Sequence, residues 1–173
     1  TEGIDVASYL KGKPLTERTI DFLNYGRGIE RIVEYDLNNM RGAGGKENIK
    51  MGFTQEELFT AIADAKVVAA YPRSWTHPEQ AGDIETLTQR YWECMLSRCV
   101  MIGHAPQELI SLIGYNPVIE IEKDNPQHQL EDVIAHISDY QELVDRNRDA
   151  ALKYGDWMYS MNRVVEFLSK IYD

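Results

Sequence analysis

Apolar residues along the chain fall into short unbroken runs that alternate with stretches of helical period. The run at 20–25, with Ile20, Phe22, Leu23 and Tyr25, reads as a strand, and Gly26, Arg27 and Gly28 read as the turn that follows it. Ile29, Ile32, Val33 and Leu37 recur at helical spacing to about Met40, and Gly42, Gly44 and Gly45 stop the pattern. A short strand is expected over 49–53. Thr54 and Glu57 then form a capping box for a helix that runs to about Ala65. A second apolar run over 66–71 ends at Pro72, and 72–84 reads as a loop. The next helix carries Tyr91, Trp92, Met95 and Leu96 and ends near Arg98; a strand covers 99–103. Pro106 opens a helix with Leu109, Ile110, Leu112 and Ile113 on its apolar face, and Gly114 closes it. A last strand covers 117–121, and 126–172 is helical with breaks near Asp139 and Gly155. Residues 1–17 read as an extended lead-in, which leaves 18–173 as one domain.

Strands that alternate with helices predict a mostly parallel sheet joined by right-handed crossovers. The strands are nearly continuous apolar runs, as a sheet covered on both faces requires. The expected fold is therefore a three-layer α/β/α sandwich with C-terminal helices packed on it. Ligands of such sheets bind at the carboxyl ends of the strands. The loops that open there hold Arg27, Gly52 and Phe53, the segment 73–89, and His104.

The chain has 173 residues, 18 basic and 28 acidic, for a net charge of −10. That balance excludes a general phosphate-backbone binder of nucleic acid, while a small anion needs only a few local arginines. Cys94 and Cys99 fit no redox or metal spacing and are expected to be buried free thiols. No apolar run is long enough for a membrane span. The chain begins with Thr1, so a processed chain or a piece of a longer one is expected.

The long segment 72–89 carries most of the candidate chemistry. Thr86 and Gln89 have capping-box spacing, which would aim the amides of Leu87, Thr88 and Gln89 into the cleft as an anion site. Arg73 and Arg90 would add positive charge. A capped helix with solvated arginines fits the same pattern. Glu85 and Glu93 are eight residues apart, and a carboxylate accepts hydrogen bonds from vicinal hydroxyls, so the pair suits a sugar and a ribose; a solvated helix face explains Glu93 equally. Gly26, Arg27 and Gly28 form part of a phosphate-loop pattern without its third glycine, and a tight turn accounts for them as well. His77 and His104 lie on cleft-side loops, where a general base would be useful; His128 and His136 lie on polar helices. No set of residues has metal-ligand spacing.

These pieces resemble, in order, the C-terminal, donor-binding half of a retaining GT-B glycosyltransferase of the group 1, family 4-like kind. The stretches are 20–27 (IDFLNYGR), 50–74 (KMGFTQEELFTAIADAKVVAAYPRS), 85–103 (ETLTQRYWECMLSRCVMIG) with its Glu-x7-Glu spacing, and 106–121 (PQELISLIGYNPVIEI). Trp157 and the last helix resemble the family's closing helices, so the likeness spans about 18–170.

The resemblance implies a Rossmann-like nucleotide-sugar-binding domain, and roles for individual residues. Glu85 would contact hydroxyls of the donor sugar, and Glu93 the ribose. Thr86, Leu87, Thr88 and Gln89 would supply amides to the diphosphate, with Arg27 and Arg73 neutralising its charge. Gly52 and Phe53 would flank the nucleobase. The turn Thr-Leu-Thr-Gln departs from the glycine-rich turn usual there, and a lysine partner for Arg27 is not evident.

No metal or cofactor is implied beyond the nucleotide sugar. The partners implied are that donor and a glycan or lipid-linked acceptor, held by an N-terminal domain that is not among these residues and that commonly supplies the catalytic group. The expected activity is transfer of a hexose-type sugar with retention, by a cytoplasmic enzyme that meets the inner membrane face where its acceptor lies there. The 173-residue chain alone is expected to be inactive and to self-associate through an exposed apolar face. Two alternatives stay open: a degenerate binding or regulatory module, and half of a nucleotide-sugar epimerase.

Overall fold

The computed structural model describes residues 12–25, 49–50, 55–122 and 124–172. Strand β1 (Ile20–Tyr25) coincides with the expected run. β2 (Ile49–Lys50) pairs with it, α1 (Gln55–Asp64) follows, and β3 (Ala65–Ala70) begins where α1 ends. β4 (Val100–Gly103) and β5 (Val118–Glu120) complete a sheet of order β2-β1-β3-β4-β5 in which every pairing is parallel. The order changes direction between β1 and β3, which makes the carboxyl ends of those strands a switch point where ligands of such sheets bind. The turn at Gly26, Arg27 and Gly28, the helix expected to Met40, and Gly52, Phe53 and Thr54 lie outside the described residues.

Alternation along the strands explains why both faces are apolar. Phe22, Val67, Ala69, Val100 and Ile102 point to one side and pack on Leu130, Val133, Ile137 and Val144. Leu23, Val68, Ala70 and Met101 point to the other and pack on Ile62, Tyr91, Met95 and Leu109. Along 67–70 and 100–103 neither face meets water, so these runs carry no polar alternation. Leu15, in the 3-10 turn Leu15–Glu17, is fully buried in the first of these clusters, so the folded unit includes residues read from sequence as lead-in.

The helices fall close to their expected places. The segment 72–84 holds two single-turn helices, α2 (Arg73–Thr76) and α3 (Pro78–Ala81), in place of an irregular loop. α4 spans Gln89–Leu96 and α5 spans Gln107–Ile113, the latter closed by Gly114 in the left-handed region at φ 82°. After α6 (Pro126–Ala135) come a 3-10 turn at Ile137–Tyr140, α7 (Gln141–Tyr154) and α8 (Trp157–Tyr172). Among the described residues no helix is long and apolar enough to cross a membrane. α8 exposes Val164, Val165, Phe167, Leu168 and Ile171, an apolar face of the kind that self-association would use.

At the amino-terminal edge of the sheet, one buried cation holds three segments. Arg18 donates from Nε to Lys13 O (2.8 Å), from Nη1 to Ala65 O (2.7 Å) and from Nη2 to Ser97 O (2.6 Å). Ala65 follows the end of α1 and Ser97 is the C-cap of α4. The guanidinium therefore sits at the negative ends of two helix dipoles. Cys94 and Cys99 are buried free thiols, as expected from sequence, and Cys99 Sγ donates to Ile62 O at 3.0 Å. Burial pushes the Cys99 thiol up to about 11, against the opposing pull of Arg18, so it is not a nucleophile.

Candidate functional site

The register of the sheet assembles the carboxyl edge. Ala70, Gly103 and Glu120 lie side by side on β3, β4 and β5. The chain must leave β4 close against β3, and Gly103 makes that possible: at φ 145° a Cβ there would sit 2.1 Å from Ala70 O. With no side chain in the way, His104 N–H donates to Ala70 O (3.0 Å) and Ile121 N–H to Gly103 O (2.8 Å). The Tyr91 hydroxyl, from α4, donates to His104 O at 2.7 Å. These bonds fix the His104 backbone and turn its ring out over the edge.

That ring lies between two carboxylates. His104 Nε2 is 2.8 Å from Glu85 Oε1, and Nδ1 is 2.7 Å from Glu120 Oε2. Trp75, from α2, stacks on the imidazole at a centroid distance of 4.6 Å and 15° between planes. Tyr71 lies 5.8 Å beyond Trp75. Glu85 Oε2 also accepts from Gln107 N–H, the first amide of α5 (3.3 Å). Glu120 Oε1 accepts from Ala105 N–H (3.2 Å) and Asn116 Nδ2 (3.0 Å). Side-chain exposures of 25% for His104, 31% for Glu85 and 48% for Glu120 leave the cluster partly open to solvent. Partial burial pulls the imidazole pKa down, but the hydrogen bonds and charges of Glu120 and Glu85 outweigh it and raise the pKa above its ordinary value. Only a ring protonated at both nitrogens donates to both carboxylates.

The residues expected from sequence divide into three groups. Glu85 reaches the carboxyl edge. Arg27, Gly52 and Phe53 lie outside the described residues. The others differ from expectation in detail. Thr86 does not cap a helix: 84–88 is irregular, α4 begins at Gln89, and Thr88, with extended backbone, is its N-cap with no side-chain capping bond. The amides of Leu87 and Thr88 therefore precede the helix, and Gln89 is its first residue. Leu87 packs against the core beside α4, and this packing holds the chain out of the helix for two residues past the local capping signal. Glu93 is half-buried in α4 one turn from its start, while Glu85 stands before the helix. Arg73 is exposed on α2, with its Nη2 donating to Gln80 Oε1. Arg90 Nη1 reaches Ala69 O at 3.4 Å, at the end of β3.

Two residues at this edge were not singled out from sequence. Glu120 lies 16 residues from His104 and only strand register joins them. Asn24, near the end of β1, is fully buried, and among the described residues neither of its side-chain polar atoms has a hydrogen-bond partner. Elsewhere a groove of about 780 Å³ runs between Leu87, Trp92, Glu108, Ser111, Tyr159 and Arg163. Among the described residues no group of histidine, cysteine and carboxylate side chains could hold a metal ion.

No family model and no curated protein matches the chain. Among solved structures, the crystal structure of TarM matches over 90% of this chain at 12% identity, with a TM-score of 0.55. The chain has a parallel-sheet α/β fold, that of a Rossmann-like domain such as makes up one half of a GT-B fold. The chain spans only 36% of the length of TarM. The likeness runs through the parallel sheet and its helices, so the carboxyl edge with Glu85, His104 and Glu120 occupies the ligand-binding end of a known type of scaffold.

Proposed function

We propose that this chain is the nucleotide-sugar-binding half of a retaining glycosyltransferase of the group 1 kind, which passes a hexose-type sugar to a glycan or lipid-linked acceptor held by a second domain. The observation that carries the reading is the position of Glu85. A loop ahead of α4 delivers its carboxylate to the carboxyl edge of a sheet that resembles TarM, beside the first amide of α5. In this reading Glu85 meets hydroxyls of the sugar and Glu93 the ribose. Arg90 and Arg73, with Arg27, supply positive charge to the diphosphate. The corrected start of α4 moves the helix amides to Gln89 and Arg90 and leaves the Thr86 and Thr88 hydroxyls as further donors. Catalysis would rest on positioning and on charge stabilisation at the leaving diphosphate.

A second reading, a degenerate binding module, draws on the engagement of Glu85 by His104 and Gln107. Thermal unfolding against UDP-, GDP- and ADP-sugars separates the two, because a ligand of the folded state raises the midpoint by mass action. The donor reading expects a shift with one base that is lost in Glu93→Gln, and a sugar-dependent increment lost in Glu85→Gln. No shift with any of them at millimolar ligand refutes it and leaves the degenerate module.

A further inference from the structure

Glu85 is held by neighbours of very different strength. Glu120, its counterpart across the imidazole, has three donors: His104, the Ala105 amide and Asn116. Glu85 has His104 at 2.8 Å and the longer contact to the Gln107 amide at 3.3 Å. Each carboxylate can accept about four hydrogen bonds, so Glu85 keeps acceptor capacity for a pair of hydroxyls. A neutral imidazole donates through one nitrogen only, and its other nitrogen then turns a lone pair toward a carboxylate. The shorter contact is from Nδ1 to Glu120, and a ring that keeps only that proton leaves Glu120 three donors and Glu85 one long contact. Among the described residues, these charged and titratable groups lie around the ring. Glu85 approaches from the segment before α4, Glu120 from β5, and the Tyr91 hydroxyl meets the His104 carbonyl; Arg90 binds Ala69 O at the end of β3, and the stacked Trp75 carries no charge.

We propose that His104 is the positioning residue of the sugar subsite: bridged to Glu120, it fixes the Glu85 carboxylate, so that recognition of the sugar, but not of the nucleotide, depends on the ring carrying both protons. The inference rests on the donor-binding reading. His104 touches neither sugar nor phosphate in this arrangement and acts through Glu85. The raised pKa of the ring agrees with the bridge geometry and extends the competent form toward neutral pH.

Two measurements on the full chain test this. The first follows the His104 ring by NMR against pH in wild type, Glu85→Gln and Glu120→Gln. Each substitution is expected to lower the titration midpoint; a midpoint unmoved by Glu85→Gln overturns the bridge. The second measures the affinity of UDP-glucose, GDP-mannose and ADP-glucose relative to UDP, GDP and ADP, from about pH 6 to about pH 9. In wild type the increment due to the sugar is expected to fall about tenfold across that range, the worth of one charge-assisted hydrogen bond. In His104→Gln the increment is small throughout, and its profile reports any titration of the nucleotide phosphates. If the wild-type increment follows the variant's profile while Glu85→Gln abolishes it, the positioning role falls and the donor reading stands. If no nucleotide or nucleotide sugar binds, the donor reading falls and the role at a sugar subsite falls with it.

Discussion

Replacing Gly103 by alanine tests the link between strand register and the candidate site. The added Cβ would lie 2.1 Å from Ala70 O and 2.9 Å from Ala70 C, and both are backbone atoms that no rotamer change can move aside. Relief requires β4 to pull away from β3 by roughly 1 Å at this point, to reach ordinary carbon–oxygen contact. That motion breaks the bond from His104 N–H to Ala70 O and strains the bond from Ile121 N–H to Gly103 O. Each is worth about 1 kcal/mol net. Holding a residue with a side chain at φ 145° costs about 1–3 kcal/mol more. The sum is about 3–5 kcal/mol, and for a chain of this size each kcal/mol lowers the melting midpoint by about 2–4 °C. Thermal unfolding should therefore show a loss of at least ~6 °C. The same displacement carries the ring out from between Glu85 and Glu120, so the His104 midpoint in the folded variant should fall toward that of free imidazole. A variant that melts within ~2 °C of wild type with an unchanged His104 midpoint refutes the account of how Gly103 places the ring.

Two further outcomes follow from groups at opposite edges of the sheet. Arg18→Met keeps the stem and removes the guanidinium, leaving the carbonyls of Ala65 and Ser97 without their donor, so a loss of about 3 kcal/mol is expected in urea unfolding; an unchanged midpoint would mean that the cost of burying the charge cancels its three bonds. His104 has a folded-state pKa raised above 6.5, so its contribution to stability is complete below about pH 6.5 and is lost as pH rises through the raised value. The difference in melting midpoint between wild type and His104→Gln should accordingly shrink from acid to alkaline pH, and a difference that grows with pH contradicts the bridge.

The centre of the sheet was legible because β3 and β4 are buried on both faces. Val67, Val68, Ala69 and Ala70 have no polar alternation to blur them, and Pro72 and Gly103 mark where runs end. The start of α4 was not legible. Thr86 and Gln89 satisfy the local capping rule, but the rule is blind to tertiary burial, and the packing of Leu87 on the core keeps the chain out of the helix as far as Thr88. The two turns at 73–81 were hidden for the opposite reason, because a four-residue helix has no period to read. Glu85 was legible as part of a spaced pair and His104 as a cleft-side residue, whereas the link between them and Glu120 was not. His104 and Glu120 are joined by the pairing of Gly103 with Glu120, and parallel register leaves no mark in a single sequence.

On the donor-binding reading, the charges also give the carboxyl edge a direction. Glu85, Glu120 and a doubly protonated His104 sum to one negative charge at the β4–β5 side. A diphosphate placed there would meet repulsion, while neutral hydroxyls would meet acceptors already held in place. Positive charge lies nearer the switch point, where Arg90 reaches the end of β3. Parallel strands are spaced about 4.8 Å apart, so β1 to β5 spans roughly 14 Å across β3 and β4. That length accommodates a nucleotide sugar laid across the edge with its diphosphate toward β1 and β3 and its sugar toward β4 and β5. Engagement of Glu85 by His104 is then the device that keeps a lone carboxylate aimed at the sugar and away from the phosphates.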